Sequence, residues 1–276
     1  MKKYLYIFSL ISITLFSCQD VVDVDLETAQ ERLVIEAMIK WEKETIGNEQ
    51  VIKLTKTSSF YNNQLVYATG ATVVVTNITT SQVFNFIETE DGIYATNSFE
   101  PILNNEYQLE VIYNDEVYKA TETLFEAPEI IEIMQSTEEG FSTEDPEIVL
   151  LFQDFLDQDD FYRISFIQTR GGEILENEKY TYDSRFESNN VLSDFFESDN
   201  MEMDDQFFVS VNKISKQFYN FINILEEQGD ASFGPFASPP VNIKGNCVNM
   251  TNENHYPYGY FGLNQISTET YTFEEN

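Results

Sequence analysis

The stretch EYQLEVIYNDEVYKATET, residues 106–123, decides the fold class of this chain. Its apolar residues Tyr107, Leu109 and Val111 alternate with polar residues, and this period of two is typical of a half-buried β-strand. The pair Asn114-Asp115 is a tight-turn sequence, because both residue types tolerate a left-handed backbone. A second run with strand character follows from Val117 to Thr123. The stretch therefore predicts an antiparallel β-hairpin.

The same period continues on the N-terminal side of this hairpin. Short alternating segments separated by turns lie at Leu33–Ile39, Val51–Thr55, Ala71–Thr76 and Val83–Glu88. Roughly six or seven strands in about 90 residues predict a small antiparallel sandwich of immunoglobulin-like type. The segment Glu126-Ala127-Pro128-Glu129 marks its end, since proline terminates strands. The first domain is predicted to span residues 31–127.

Residues 128–276 are predicted to form a second β-rich domain. Gly171-Gly172 is a hairpin sequence between two of its strands. The predicted strands are Ile148–Phe152, Phe161–Gln168, Ile174–Tyr182, Phe207–Val211, Tyr256–Ile266 and Thr270–Phe273. The overall fold class is therefore mainly β.

One amphipathic helix is predicted within the second domain, near residues 214–228. Ser215 suits its N-cap and Gly229 suits the position just past its end. Such a stripe is more often part of a core than a ligand groove. The apolar residues recur at helical spacing at Ile214, Phe218, Phe221, Ile222 and Leu225.

Composition restricts the possible partners. The 276 residues include 48 acidic and 15 basic side chains, which gives a net charge of −33. A field of this sign repels phosphate backbones, so we expect no nucleic-acid partner. Hydrophobic residues make up 42% of the chain, enough to form a core.

The N-terminus has the features of an export signal. Lys2 and Lys3 precede a short apolar run, Tyr4 to Phe16, which ends in Leu15-Phe16-Ser17-Cys18. This ending matches a bacterial lipobox, in which the cysteine is acylated and becomes the new N-terminus. We expect a signal peptide at 1–17, lipid attachment at Cys18 and a lipidated tether at 18–30. An ordinary signal peptide with a coincidental cysteine is the alternative.

Candidate chemical sites are few. Acidic clusters at Asp154, Asp157, Asp159 and Asp160, and at Asp199, Glu202, Asp204 and Asp205, lack the spacing of known calcium loops. Cys247 and the single histidine, His255, are eight residues apart, which does not establish a catalytic pair. Motifs of serine hydrolases, zinc proteases and P-loops are absent from the sequence. We therefore expect no enzyme, no catalytic residue, no cofactor and no metal site.

An ordered set of short motifs resembles a family of Bacteroidota outer-membrane lipoproteins, the domain of unknown function 4249. The motifs are Leu33-Val34-Ile35-Glu36, Gly70-Ala71-Thr72-Val73, Gly92-Ile93-Tyr94, Tyr107-Gln108-Leu109-Glu110-Val111, Val117-Tyr118-Lys119-Ala120, Val211-Asn212-Lys213-Ile214-Ser215, Phe218-Tyr219, Pro239-Pro240-Val241-Asn242-Ile243, Gly245-Asn246 and Tyr258-Gly259-Tyr260-Phe261. The resemblance implies an outer-membrane lipoprotein of a family in which many members are encoded beside TonB-dependent transporters. It implies no catalytic residue.

The resemblance also draws attention to the loop Pro239–Asn246 and the following strand. Gly245, Gly259 and Gly262 permit a tight or bulged backbone there. These residues either shape a turn and pack a strand, or they form a partner surface with aromatic anchors. The anchors would be Tyr256, Tyr258 and Tyr260.

The function expected from the anchor and the resemblance is that of a non-enzymatic accessory or ligand-capture partner of a TonB-dependent transporter. The protein would be attached to the outer membrane through lipid on Cys18, on the periplasmic or the cell-surface side. The acidic stretch after the cysteine resembles a surface-export signal, and a plain solvated tether is the alternative. A surface adhesion or structural module and a glycan or peptide hydrolase remain open.

Overall fold

The computed structural model describes residues 30–58, 64–137, 145–155, 160–187, 189–229 and 242–274. Within these ranges the chain is mainly β, with sixteen strands and one α-helix. In the same ranges we find no helix that is long and apolar enough to cross a membrane. The predicted signal peptide, Cys18 and nearly all of the tether lie outside the described residues.

The predicted hairpin is confirmed. Strands β7 (Glu106–Tyr113) and β8 (Glu116–Thr123) pair antiparallel from end to end. The turn residues Asn114 and Asp115 have φ angles of 48° and 63°. Two consecutive left-handed residues make the turn type whose twist matches that of the flanking strands.

The first sandwich combines this hairpin with six preceding strands. Strand β5 belongs to both layers, because Phe86 pairs with β4 whereas Ile87 pairs with β6. The fully buried core between the layers includes Ile35, Val75 and Tyr107. The six strands are β1 (Leu33–Glu42), β2 (Gln50–Lys56), β3 (Val66–Tyr67), β4 (Thr72–Asn77), β5 (Gln82–Glu90) and β6 (Ile93–Thr96).

The second sandwich packs a three-stranded sheet, ordered β13-β10-β9, against the segment β12-β11-β14 of the large sheet. Its core is aromatic and includes Phe152, Phe166 and Phe207. Gly171 and Gly172 form the predicted turn between β11 and β12, with positive φ at both residues. These strands are β9 (Ile130–Ser136), β10 (Glu147–Gln153), β11 (Phe161–Arg170), β12 (Glu173–Asp183), β13 (Val191–Glu197) and β14 (Gln206–Ile214).

A single long strand joins the two sandwiches. β15 (Val248–Asn249) pairs with β8, and β16 (Tyr258–Thr272) then runs parallel to β1 and, further along, antiparallel to β14. The predicted two closing strands are therefore one, and the first sandwich is not purely antiparallel. The polar residues in the middle of β16 do not interrupt the strand, because their side chains have partners. Gln265 accepts a hydrogen bond from the Ala127 backbone N–H (3.0 Å), and Ser267 donates one to the Pro128 carbonyl (2.5 Å).

Strand β16 contributes to both cores. Phe261 and Leu263 lie in the first core, whereas Tyr271 packs against the second. The division between residues 127 and 128 stays a prediction.

The helix, α1 (Lys216–Gly229), begins after Ser215. Gly229 is its last residue, whereas the sequence predicts Gly229 just past its end. The prediction for Ser215 is confirmed, since its Oγ accepts a hydrogen bond from the Phe218 backbone N–H at 3.2 Å. The prediction for Ile214 was wrong. Ile214 ends strand β14, because pairing with Phe161 keeps its backbone extended while its side chain packs beside Phe218.

Candidate ligand-binding cleft

A cleft of about 550 Å³ lies between helix α1 and the face of the sheet formed by β12, β11, β14, β16 and β1. This volume is within the range of about 300–1,000 Å³ for small-molecule sites. The apolar lining consists mainly of Met38, Ile167, Phe218, Phe221, Ile222, Leu225, Tyr260 and Ile266. The predicted stripe is therefore core at Phe218 and cleft wall at Leu225, which is 46% exposed.

The N-terminal end of the helix is fixed by a small polar network. Besides capping the helix, Ser215 donates a hydrogen bond from Oγ to Glu122 Oε2 (2.9 Å). The same oxygen accepts a hydrogen bond from the Tyr260 hydroxyl at 3.1 Å. Burial raises the pKa of Glu122 above its ordinary value. The Tyr260 ring contacts the Phe218 ring in a tilted arrangement, with ring centroids 4.8 Å apart, so strand β16 positions the first turn of the helix.

Two polar contacts fix the remainder of the helix over the sheet. Arg163 Nη2 of β11 lies 2.6 Å from Glu226 Oε1. The Thr181 hydroxyl of β12 donates to Asn223 Oδ1 at 2.5 Å. The helix thus bridges strands from both sandwiches, and the cleft is the space left between its apolar side and the sheet.

The floor of the cleft under β11 and β14 is polar. Ser165 of β11 pairs with Lys179 of β12 on one side and with Ser210 of β14 on the other. Two residues before Ser165 on the same strand, Arg163 pairs with Asn212 of β14. Ser165 is 8% exposed, and its Oγ has no hydrogen-bond partner in the described part of the chain. The same holds for Arg163 Nη1, which is also buried. A buried donor without a partner is rare, and it commonly marks a place where a ligand or water binds.

The charge of the cleft is opposite to that of the whole protein. Lys40, Arg163 and Lys179 line it, whereas Glu36 is its one acidic lining residue. Glu36 is neutralised by Lys53, whose Nζ lies 3.1 Å from its carboxylate. Lys40 and Lys179 form no ion pair within the ranges that the structure describes. The cleft therefore presents positive charge on a chain of net charge −33.

The structure separates the three tyrosines that sequence reasoning grouped as anchors. Tyr260 is buried under the helix and is no part of an exposed partner surface. Tyr256 and Tyr258 are partly exposed and contact each other edge to face, with centroids 5.6 Å apart. Arg32 and Lys244 each lie 3.8 Å from the centre of the Tyr256 ring. Tyr256 is thus already engaged by two cations of this chain.

The loop before β16 is fastened to that strand by its own side chains. Asn246 Nδ2 donates to the Phe261 carbonyl at 2.7 Å, and Asn246 Oδ1 accepts from the Phe261 N–H at 2.9 Å. A Cβ at Gly245 would lie 1.6 Å from the Gly259 carbonyl oxygen. These residues pack the loop onto the strand, as the structural alternative predicts. Residues 239–241 of the loop lie outside the described residues.

A model of the family described as a domain of unknown function, DUF4249, matches residues 19–270. The chain belongs to the DUF4249 family. The match includes nearly all of both sandwiches and all residues that line the cleft, and it confirms the resemblance noted in the sequence. A comparison with the curated proteins gives no match.

Solved structures similar to this DUF4249 chain include a chicken CNTN1 chain with fibronectin domains FN1–FN3. It is 12% identical, with a TM-score of 0.29, over 65% of this chain and 57% of that chain. A DUF4785 family protein of Legionella pneumophila is 12% identical, with a TM-score of 0.24, over 66% of this chain and 51% of that one. The DUF4249 chain therefore spans little more than half the length of either structure.

Cys247 and His255 do not form a catalytic pair in the structure. Cys247 is 7% exposed in the first core, and burial raises the pKa of its thiol to about 12. Both ring nitrogens of His255 are engaged elsewhere, with Nδ1 2.6 Å from Glu116 Oε2 and Nε2 2.8 Å from the Glu31 carbonyl. A protonated thiol with no adjacent base is not a nucleophile.

The first acidic cluster is built into the second sandwich. Asp160 forms a buried ion pair with Lys213, with Oδ1 and Nζ 2.6 Å apart. The Tyr162 hydroxyl donates to Asp154 Oδ1 at 2.5 Å. Asp157 and Asp159 lie outside the described residues. Asp154 and Asp160 are therefore each engaged by another side chain of this chain.

The second acidic cluster centres on Asp205. Arg170 binds its carboxylate with two nitrogens, at 2.7 and 2.9 Å, and this contact lowers the pKa of Asp205 to about 2. Gln168 and the Glu202 backbone N–H also donate to it. In the described ranges, three or more His, Cys, Asp or Glu side chains are nowhere arranged to hold a metal.

A second groove, of about 390 Å³, is lined by residues of β12 and β13. Asp194 lines it, and burial raises the pKa of this carboxyl to about 6, although the Phe195 N–H donates to it at 2.8 Å. Burial also raises the pKa of Glu178 in the same groove. The sequence did not single out these acids, because neither belongs to an acidic cluster.

Sequence reasoning also missed the polar residues of the cleft. Arg163 and Ser165 lie two positions apart on β11 and therefore share one face of the strand. A buried strand would be expected to have apolar residues at both positions. Polar residues at alternate positions of such a strand were the available signal. Lys40 and Lys179 reach the same cleft only through the sheet pairing.

Proposed function

We propose that this protein is a lipid-anchored outer-membrane lipoprotein that captures a ligand for a TonB-dependent transporter and catalyses no reaction. The observation that carries the ligand-capture part is the cleft under α1, where Ser165 Oγ and Arg163 Nη1 are buried without partners. Pockets of this size with a few convergent polar groups are the usual form of small-molecule sites.

The positions of the reactive side chains support a non-enzymatic role. Cys247 is a protonated core residue, His255 is tied to Glu116, and Asp205 is neutralised by Arg170. Each of these groups stabilises the fold through its present partner or through its burial. None of them lines the cleft, so the cleft is better suited to binding than to acid–base chemistry.

The membrane part of the proposal rests on the lipobox that ends at Cys18. Metabolic labelling with a radioactive fatty acid tests it directly. We expect the label on the wild type and on Cys247→Ala, and none on Cys18→Ala, because the second cysteine is buried in the core. Label on Cys18→Ala would contradict lipid attachment at Cys18.

The transporter part is tested by a pull-down from mildly solubilised outer membranes, with the wild type and Cys18→Ala. We expect a TonB-dependent transporter in near-equal amount with the wild type and much less with the variant. An anchored wild type that brings down no transporter would refute this part and would favour an adhesion module. Turnover of a glycan or peptide that disappears when two carboxylates are changed would favour a hydrolase instead.

A further inference from the structure

We propose that the cleft under α1 binds a small anionic amphiphile, with an oxyanion head group at Arg163, Ser165 and Lys179 and an apolar body along the helix. This proposal rests on the ligand-capture part of the proposed function. It adds the chemical class of the ligand and the orientation in which it binds.

The polar end of the cleft has the donors that an oxyanion needs. Ser165 lies between Lys179 and Ser210 in the sheet, and all three line the cleft. The unpartnered Ser165 hydroxyl and Arg163 Nη1 are both donors, and a carboxylate accepts hydrogen bonds through two oxygens. Hydrogen bonds from a guanidinium to a carboxylate are shorter and stronger than neutral ones.

The remaining wall of the cleft favours an apolar body. Phe221, Ile222 and Leu225 of the helix and Met38 and Ile266 of the sheet offer hydrocarbon surface. Phe221 also contacts the Tyr260 ring, with centroids 4.9 Å apart, which gives this wall an aromatic part. A wholly ionic ligand would leave this surface in contact with water, and a wholly apolar ligand would leave the buried donors unpaired.

Charge complementarity decides the sign of the head group. The one acid of the lining, Glu36, is paired with Lys53, and Arg163 is paired with Glu226. Lys40 and Lys179 are left as cations without an ion pair in the described part of the chain. A cationic head group would face Lys40 and Lys179 without a free carboxylate. The surrounding negative field would attract such a cation to the surface in general, but not to this cleft.

Titration calorimetry on the purified full-length protein tests the proposal with decanoate as the probe. Decyltrimethylammonium keeps the chain and reverses the charge, and butyrate keeps the carboxylate and shortens the chain. We expect decanoate to bind at one site and both other probes to bind at least about tenfold more weakly, since one charged hydrogen bond or several buried methylenes contribute that much.

Two variants assign the binding to the cleft. Ser165→Ala and Lys179→Gln are expected to weaken decanoate binding about tenfold. Lys119→Gln is the matched control, because Lys119 lies on β8 and pairs with Glu110 outside the cleft. Unchanged urea midpoints would show that the cleft variants fold. Removal of a buried hydroxyl without partners should not unfold the protein.

The outcomes separate this inference from the proposed function. Equal binding of decanoate and decyltrimethylammonium, unchanged affinity in Ser165→Ala and Lys179→Gln, or no decanoate binding would each overturn the anionic-amphiphile proposal. Decanoate binding by a protein that brings down no transporter would leave the ligand class standing and remove only the transporter. If the protein brings down a transporter but does not bind decanoate, the transporter part of the proposed function stands and the ligand class is wrong.

Discussion

Replacing Gly259 by alanine should break the pairing between β1 and β16 at its first residues. Gly259 has a φ of +90°, and a Cβ there would lie 2.1 Å from the Ile35 carbonyl oxygen. Ile35 is the residue with which Gly259 pairs in the parallel ladder. The obstructing atom is backbone, so no side-chain rotation can relieve the contact.

The expected loss of stability has two parts. A left-handed backbone costs an alanine about 1–2 kcal/mol. The contact adds more, because ordinary van der Waals contact begins at 3.4 Å and the strands must separate by more than an ångström. Losing one or two buried ladder hydrogen bonds near Ile35 costs about 1–3 kcal/mol. Gly259→Ala should therefore destabilise the protein by about 2–5 kcal/mol, a large part of the stability of a typical domain.

The matched control is Gly172→Ala in the turn between β11 and β12. Gly172 has a φ of +88°, and a Cβ added there would have nothing within 4 Å, so only the backbone part applies. Urea unfolding followed by fluorescence of Trp41, the single tryptophan, compares the two variants; Trp41 pairs with Gln265 across the β1–β16 ladder. Equal losses of about 1 kcal/mol in both variants would refute the steric reasoning.

Three further predictions concern single polar groups. Asp194→Asn should raise the free energy of unfolding by about 1–3 kcal/mol at pH 8 but not at pH 4. Because its folded pKa is raised to about 6, the buried carboxyl group destabilises the folded protein increasingly from about pH 4 upward, and to the full extent above about pH 6. Equal urea midpoints of variant and wild type at pH 8 would contradict this. Asp205→Asn should lower the free energy of unfolding by about 3 kcal/mol at pH 7, because Arg170 stabilises the Asp205 carboxylate. The loss should shrink as the pH falls below 4 toward the folded pKa of about 2, where the carboxylate of the wild type becomes protonated. A loss that does not depend on pH would contradict the role of the ion pair. Ser215→Ala should cost about 1 kcal/mol in thermal unfolding through loss of the cap on Phe218, and no change would show the cap to be dispensable.

The strands were predictable where one face is buried and the other is wet. In β7, the buried residues Tyr107, Leu109 and Val111 alternate with more exposed neighbours, so the period of two is visible in the sequence. Strands β9 and β13 were missed because their burial does not alternate regularly. Ile214 was misplaced because it precedes the helix at helical spacing from Phe218, although strand pairing fixes its backbone.

The cleft was only partly predictable. The period of the apolar residues in α1 predicts which side of the helix faces the protein. It does not predict that Phe218 is buried in a core whereas Leu225 borders the cleft, because only the packing of the helix on the sheet decides this. The residues that give the cleft its charge lie on three different strands. Lys40 and Lys179 are more than 130 positions apart in the chain, and only the order β12-β11-β14-β16-β1 brings them to one face.

By itself the sequence determined the mainly β class, the hairpin turn at Asn114-Asp115 and the helix cap at Ser215. These features depend on neighbouring residues, whose conformational preferences act over a few positions. The tertiary structure decided that β16 runs parallel to β1, that Tyr260 is buried and that Arg163 and Ser165 line one cleft under the helix. Those outcomes depend on pairing between segments far apart in the chain, and local periodicity carries no information on which strands become neighbours.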